Sequence, residues 1–146
     1  MRQIQKNKSK AKAEHIAVID IGSNSIRLVM YDKLGRYPYP LFDERVTAKL
    51  GVGLDATGKI HTSNSKMALE ALSRFAQILK SLDPNQIIVV ATAVLRRAKN
   101  AREFLKSAEK TLGHKISVIT PEEEVLFMVK GLADGMPDLT GLVVDL

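Results

Sequence analysis

Three extended segments open the chain, and only after them does the apolar spacing turn helical. Residues 15–20 (HIAVID) and 26–32 (IRLVMYD) are β-branched apolar runs on either side of Ile21-Gly22-Ser23-Asn24-Ser25, the pattern of a β-hairpin. A third extended piece is expected over residues 41–49, because Pro38 and Pro40 keep the preceding segment out of a helix. Ala68, Leu72, Phe75, Leu79 and Leu82 then recur at helical spacing, with Pro84 behind them, so one face of a helix over residues 65–82 is expected to be buried. Gln86–Ala91 (QIIVVA) is a continuous apolar run, the signature of a strand covered on both faces. A second helix is expected to turn Ala101, Leu105, Ala108 and Leu112 inward and to end at Gly113. Residues 115–119 (KISVI) read as a strand. Thr120-Pro121-Glu122-Glu123 reads as a helix start, with Thr120 as N-cap and Glu123 closing a capping box. That helix should run to about Ala133, and residues 142–146 (LVVDL) begin another strand. Three strands followed by βα alternation specify an α/β fold: a mixed sheet with an antiparallel meander, then βα units, flanked by helices.

Charge and composition narrow the function classes. The 146 residues carry 22 Lys and Arg against 16 Asp and Glu, a net +6. Residues 1–14 account for +4 of it through Arg2, Lys6, Lys8, Lys10 and Lys12 against Glu14, and they are expected to be a solvated, disordered basic tail. The body is nearly balanced, so the charge does not point to a specific nucleic-acid partner. With no cysteine, a disulfide scaffold and a cysteine zinc site are impossible. No apolar run approaches the roughly 20 residues of a membrane span, and no secretory signal opens the chain. A reducing, cytoplasmic setting is the expectation.

Four positions have the residue types for anion or phosphate chemistry. At the hairpin tip, Asp20 with Gly22, Ser23, Asn24 and Ser25 offers a strand-end carboxylate, hydroxyls and turn N–H groups, suited to a cation and an anion; an ordinary polar turn with Gly22 at positive φ would also explain it. Thr92, Arg96 and Asn100 follow the end of the Gln86–Ala91 strand, where open α/β sheets bind ligands, although Arg96 could be only a solvated helix face. In Glu122-Glu123-Glu124 a carboxylate could orient or deprotonate a water, while spacing alone favours capping by Glu123, and the two roles can fall to different members. Asp145, an acid ending a strand as Asp20 does, would suit a divalent ion with it across a cleft. The loop over residues 50–58 has no dinucleotide-binding glycine pattern and reads as a connector.

Residues 17–27, the 50–58 loop, Ala91-Thr92 with Arg96 and Asn100, and Glu123-Glu124 stand in the order seen in the Ppx/GppA phosphatases, which this sequence resembles over about residues 15–146. The family comprises exopolyphosphatases and guanosine pentaphosphate phosphohydrolases. The resemblance implies a ribonuclease-H-like, actin-like ATPase fold, with two such domains facing across a cleft that binds phosphates and Mg²⁺. It implies phosphate or metal contacts from Asp20, Gly22, Ser23, Asn24 and Ser25, a phosphate contact from Arg96, and assistance to the attacking water from Glu123. Substrates implied are polyphosphate or guanosine pentaphosphate or tetraphosphate, and a homodimer of the full-length protein is compatible with it. Two departures stand out: the chain stops at Asp145-Leu146, before the glycines of the family's second phosphate loop, and Phe127-Met128 replace a small residue and an Arg. The expectation is a ribonuclease-H-like domain over residues 15–136, the first strand of a truncated second domain over 137–146, and little activity alone. A kinase of the same fold and a non-catalytic phosphate- or alarmone-binding module are the alternatives.

Overall fold

The computed structural model describes residues 14–33, 35 and 38–135. Residues 1–13 of the basic tail, Asp145 and the strand expected over residues 142–146 lie outside them. Strands β1 (Ile16–Ile21), β2 (Ser25–Tyr31) and β3 (Pro40–Thr47) form the antiparallel meander. Helices α1 (Leu54–Thr57) and α2 (Thr62–Leu82) follow, then β4 (Gln86–Ala91), α3 (Ala93–Arg97), α4 (Ala101–Leu112), β5 (Ser117–Val118) and α5 (Pro121–Gly135). The sheet order is β3-β2-β1-β4-β5, with β4 parallel to β1 and β5 parallel to β4. A meander on one side of β1 and parallel βα additions on the other is the mixed topology expected of a ribonuclease-H-like domain.

The core lies between one sheet face and helices α2 and α4. Ala17, Ile19 and Ile21 of β1, Ile26 and Leu28 of β2, and Val89 and Ala91 of β4 meet Ala68, Leu72, Phe75 and Leu79 of α2. Alternation places these strand residues on one face. Leu82, expected to join them, is 37% exposed, because the helix ends there. In α4 the deeply buried aromatic is Phe104, with Leu105 only packed against the core. The opposite sheet face is partly open: Ile88 is 36% exposed. The unbroken apolar run of β4 therefore does not mean two covered faces, a correction that follows from the absence of any described helix buried against that side.

The loop over residues 50–61 is ordered by small contacts. Asn100 holds the backbone of Ile60 from both sides, its Oδ1 accepting from the Ile60 N–H (2.9 Å) and its Nδ2 donating to the Ile60 carbonyl (3.0 Å). That commits Asn100 to structure rather than to a ligand. Gly53 has φ +74°, and a methyl group there would overlap the imidazole of His61, reaching 2.9 Å from Cδ2. Gly53→Ala is therefore expected to destabilise the fold by about 1–3 kcal/mol, read as a lowered urea midpoint. In a His61→Ala background the cost should shrink to the backbone part alone.

Candidate functional site

The hairpin tip, the ends of β1 and β4, and the start of α5 converge at one end of the sheet. The tip is narrow because the Gly22 N–H donates to the Ser25 carbonyl at 3.0 Å. Gly22 is not at positive φ; it is glycine because a Cβ would press on that carbonyl at 3.2 Å. A second clamp comes from the segment after β3: the Lys49 N–H donates to the Asn24 carbonyl and the Gly51 N–H to the Ser23 carbonyl, both at 2.8 Å. Lys49 takes a left-handed φ of 52° to do this, and the Asn64 amide donates to its carbonyl. Both tip carbonyls are thus consumed, while the N–H groups of Ser23 and Asn24 donate to no acceptor among the described residues. The Ser23 and Asn24 side chains are exposed and Ser25 is half-buried. N–H groups and hydroxyls with no partner among the described residues suit an anion.

Asp20 ends β1 beside this tip. Partial burial pushes its carboxyl above the ordinary carboxylate pKa, the Glu124 carboxylate pushes it further, and Arg27 and Arg45 pull the other way. Thr92, immediately after β4, donates its N–H to the Ile21 carbonyl at 3.3 Å, which sets it against the base of the tip. Arg96, one helical turn on, donates to the Ile119 carbonyl (2.6 Å) and to Glu124 Oε2 (2.9 Å). The pair is half-buried, at 24% and 31% side-chain exposure. With two of its five N–H groups engaged, the guanidinium retains three for a ligand.

The acidic triplet divides its roles. The Glu123 carboxylate accepts from the Thr120 N–H (2.8 Å), and its own N–H donates to Thr120 Oγ1 (3.2 Å), the reciprocal capping box expected from spacing. Glu122 is exposed, and its own backbone N–H, Thr120 and Arg96 hold its carboxyl below the usual range. Glu124 is the carboxylate brought to Arg96 and into the field of Asp20. One residue is a 100° turn of helix, which is why the triplet cannot all face one way. Sequence reasoning also passed over the Lys49–Gly51 clamp, for which the only signal was a glycine in a loop.

Comparisons with known proteins bear on the family and the fold. The Ppx/GppA phosphatase family pattern matches residues 28–146. The chain is 36% identical over 117 residues to a guanosine-5'-triphosphate,3'-diphosphate pyrophosphatase of Pseudoalteromonas translucida, covering 80% of this chain and 24% of that protein. It is 34% identical over 131 residues to the protein of that name from Vibrio cholerae serotype O1, covering 89% and 26%. The chain thus spans about a quarter of the length of these curated relatives. Among solved structures, the Aquifex aeolicus Ppx/GppA family member superposes with TM-score 0.80 at 27% identity, over 86% of this chain and 41% of that one. An exopolyphosphatase from Cytophaga hutchinsonii superposes with TM-score 0.78 at 26% identity, over 84% and 39%.

Proposed function

As the chain belongs to the Ppx/GppA phosphatase family, we propose that it forms one wall of a cleft in which a phosphoanhydride bond of inorganic polyphosphate, or of a guanosine pentaphosphate-type nucleotide, is hydrolysed to release orthophosphate. The observation that carries this is the meeting, at one sheet end, of tip N–H groups with no acceptor among the described residues, the Arg96 guanidinium, and the Asp20 and Glu124 carboxylates. Phosphoryl transfer asks a protein mainly for positioning and charge neutralisation. In this reading the terminal phosphate rests on the Ser23 and Asn24 N–H groups and on the Ser23, Ser25 and Thr92 hydroxyls. Arg96 reaches the same phosphate with its remaining donors.

Glu124 holds Arg96 with one carboxylate oxygen, and its other oxygen is available to take a proton from the attacking water. The resemblance placed that role on Glu123; we assign it to Glu124 because the Glu123 carboxylate is occupied at Thr120.

Asp20 is a hard oxygen donor at the open end of the site, which fits Mg²⁺, an ion usually held by one or two carboxylates together with waters and substrate phosphates. No group of three or more His, Asp or Glu converges among the described residues, so a cage made by the protein alone is not what fits. Bound at Asp20, the ion would supply positive charge against the phosphates.

Turnover by this chain alone is expected to be slow, since one guanidinium neutralises only part of the transition-state charge. The test is Mg²⁺-dependent orthophosphate release from long-chain polyphosphate and from guanosine pentaphosphate. Glu124→Gln should lower the rate by about 100-fold or more, while Glu123→Gln, which keeps a capping side chain, should change it by less than about 3-fold. Binding accompanied by a release rate indifferent to Glu124→Gln would assign the chain to the phosphate-binding modules instead. A chain that neither binds nor hydrolyses these compounds would refute the reading.

A further inference from the structure

Two non-glycine residues among those described have positive φ. Asp83 is one, and it caps the C-terminus of α2, where a left-handed residue is routine. Lys49 is the other, and it ends no helix. It is exposed at φ 52°, between Ala48 and Leu50, which are both fully buried. A side chain with a Cβ is strained there, and such strain persists only where the surroundings over-determine it.

Three hydrogen bonds do so. The Lys49 N–H donates to the Asn24 carbonyl at 2.8 Å, and its carbonyl accepts from the Val52 N–H at 3.1 Å. The same carbonyl accepts from the side-chain amide of Asn64. The first two are main chain to main chain and belong to the clamp and its turn. The third is a side chain reaching in from a different element, fifteen residues away. Asn64 is the third residue of α2 and is half-buried. An asparagine at a helix start commonly serves its own helix. Here the start of α2 has no side-chain cap, and Asn64 turns to Lys49 instead. The Ser63 hydroxyl donates to Asn64 Oδ1 at 3.2 Å, which presents the amide nitrogen to Lys49.

We infer that Asn64 is a positioning residue for the phosphate site. By holding the Lys49 carbonyl it keeps Lys49 left-handed, which aims the Lys49 N–H at Asn24 and so fixes the N–H groups of the tip. This rests on the proposed phosphate site at Ser23 and Asn24 and adds the element that sets its geometry, the start of α2. Asn64 itself touches no substrate.

Amide hydrogen exchange of the full chain, with calorimetric titration of orthophosphate on the same samples, tests both levels. Asn64→Ala should speed exchange at the Lys49 N–H by about 5-fold or more, the worth of one hydrogen bond, while N–H groups in the middle of β1 and β4 keep their rates. Orthophosphate binding should weaken by about 3- to 10-fold. Lys49→Gly relieves the strain at φ 52°, so in that background Asn64→Ala should speed exchange at residue 49 by less than about 2-fold. Lys66→Gly weakens the same helix through its exposed surface and should leave Lys49 exchange and orthophosphate affinity within about 2-fold. Unchanged Lys49 exchange in Asn64→Ala, an undiminished effect in the Lys49→Gly background, or the same changes in Lys66→Gly would overturn the positioning role and leave the phosphate site standing. Faster exchange with unaltered orthophosphate affinity would overturn it equally. An unmutated chain that binds no orthophosphate would overturn the phosphate site and the positioning role with it.

Discussion

Arg96→Ala should remove most of the orthophosphate affinity and loosen α5 from the body of the domain. The same guanidinium holds the Ile119 carbonyl and the Glu124 carboxylate, so its loss frees the start of α5 as well as the ligand. Two charge-assisted bonds of this kind, discounted for partial exposure, make the expected destabilisation about 1–2 kcal/mol. The ligand effect is expected to be larger, on the order of 10- to 100-fold in affinity. Urea unfolding and calorimetry on one preparation separate the two. Arg96→Lys should recover part of the charge but not the two-partner geometry, because an ammonium cannot span a carbonyl and a carboxylate in one plane. Orthophosphate affinity unchanged in Arg96→Ala would place the phosphate site elsewhere.

The largest stability effect is expected at Phe75. It is fully buried at the middle of α2, where the helix lies on the sheet. Phe75→Ala removes a ring and leaves a cavity between α2 and the sheet, a change expected to cost about 3–5 kcal/mol. Against a total stability of roughly 5–15 kcal/mol for a domain, that is a large fraction, and the urea midpoint should fall accordingly. Phe75→Leu should recover much of it, since the aliphatic chain refills part of the space. A loss below about 1 kcal/mol would mean that α2 does not carry the core.

Much of this organisation was legible in the sequence because the informative signals are local and repeated. The spacing of Ala68, Leu72, Phe75 and Leu79 specified α2 and its inner face. The register of apolar runs around the Gly22–Ser25 turn specified the hairpin, and Thr120 with Glu123 specified the start of α5. The short helices escaped. α1 is four residues long and α3 five, each less than the window over which a period can be recognised, while the strand expected over residues 115–119 is present only as Ser117–Val118. The direction of a single side chain escaped as well. Glu123 and Glu124 differ by one position and 100°, and only the placement of Arg96 on another segment decides which carboxylate meets it. Asn100 likewise has the composition of a ligand residue, but its partner is the backbone of Ile60, forty residues earlier. Contacts between distant backbones leave no mark on side-chain patterning.

The bonds that grip the hairpin tip are of that last kind. They run from the Lys49 and Gly51 N–H groups to the Asn24 and Ser23 carbonyls, main chain to main chain. Substituting Ser23 or Asn24 changes what the tip offers a ligand without removing either bond that locates it. The tip's chemistry and its position are therefore under separate control, so substrate preference can drift through side-chain changes while the frame stays fixed. Gly51 is the exception, because a Cβ there would meet Ser23 Cβ at 3.1 Å, and that one position ties the frame to the residue it presents.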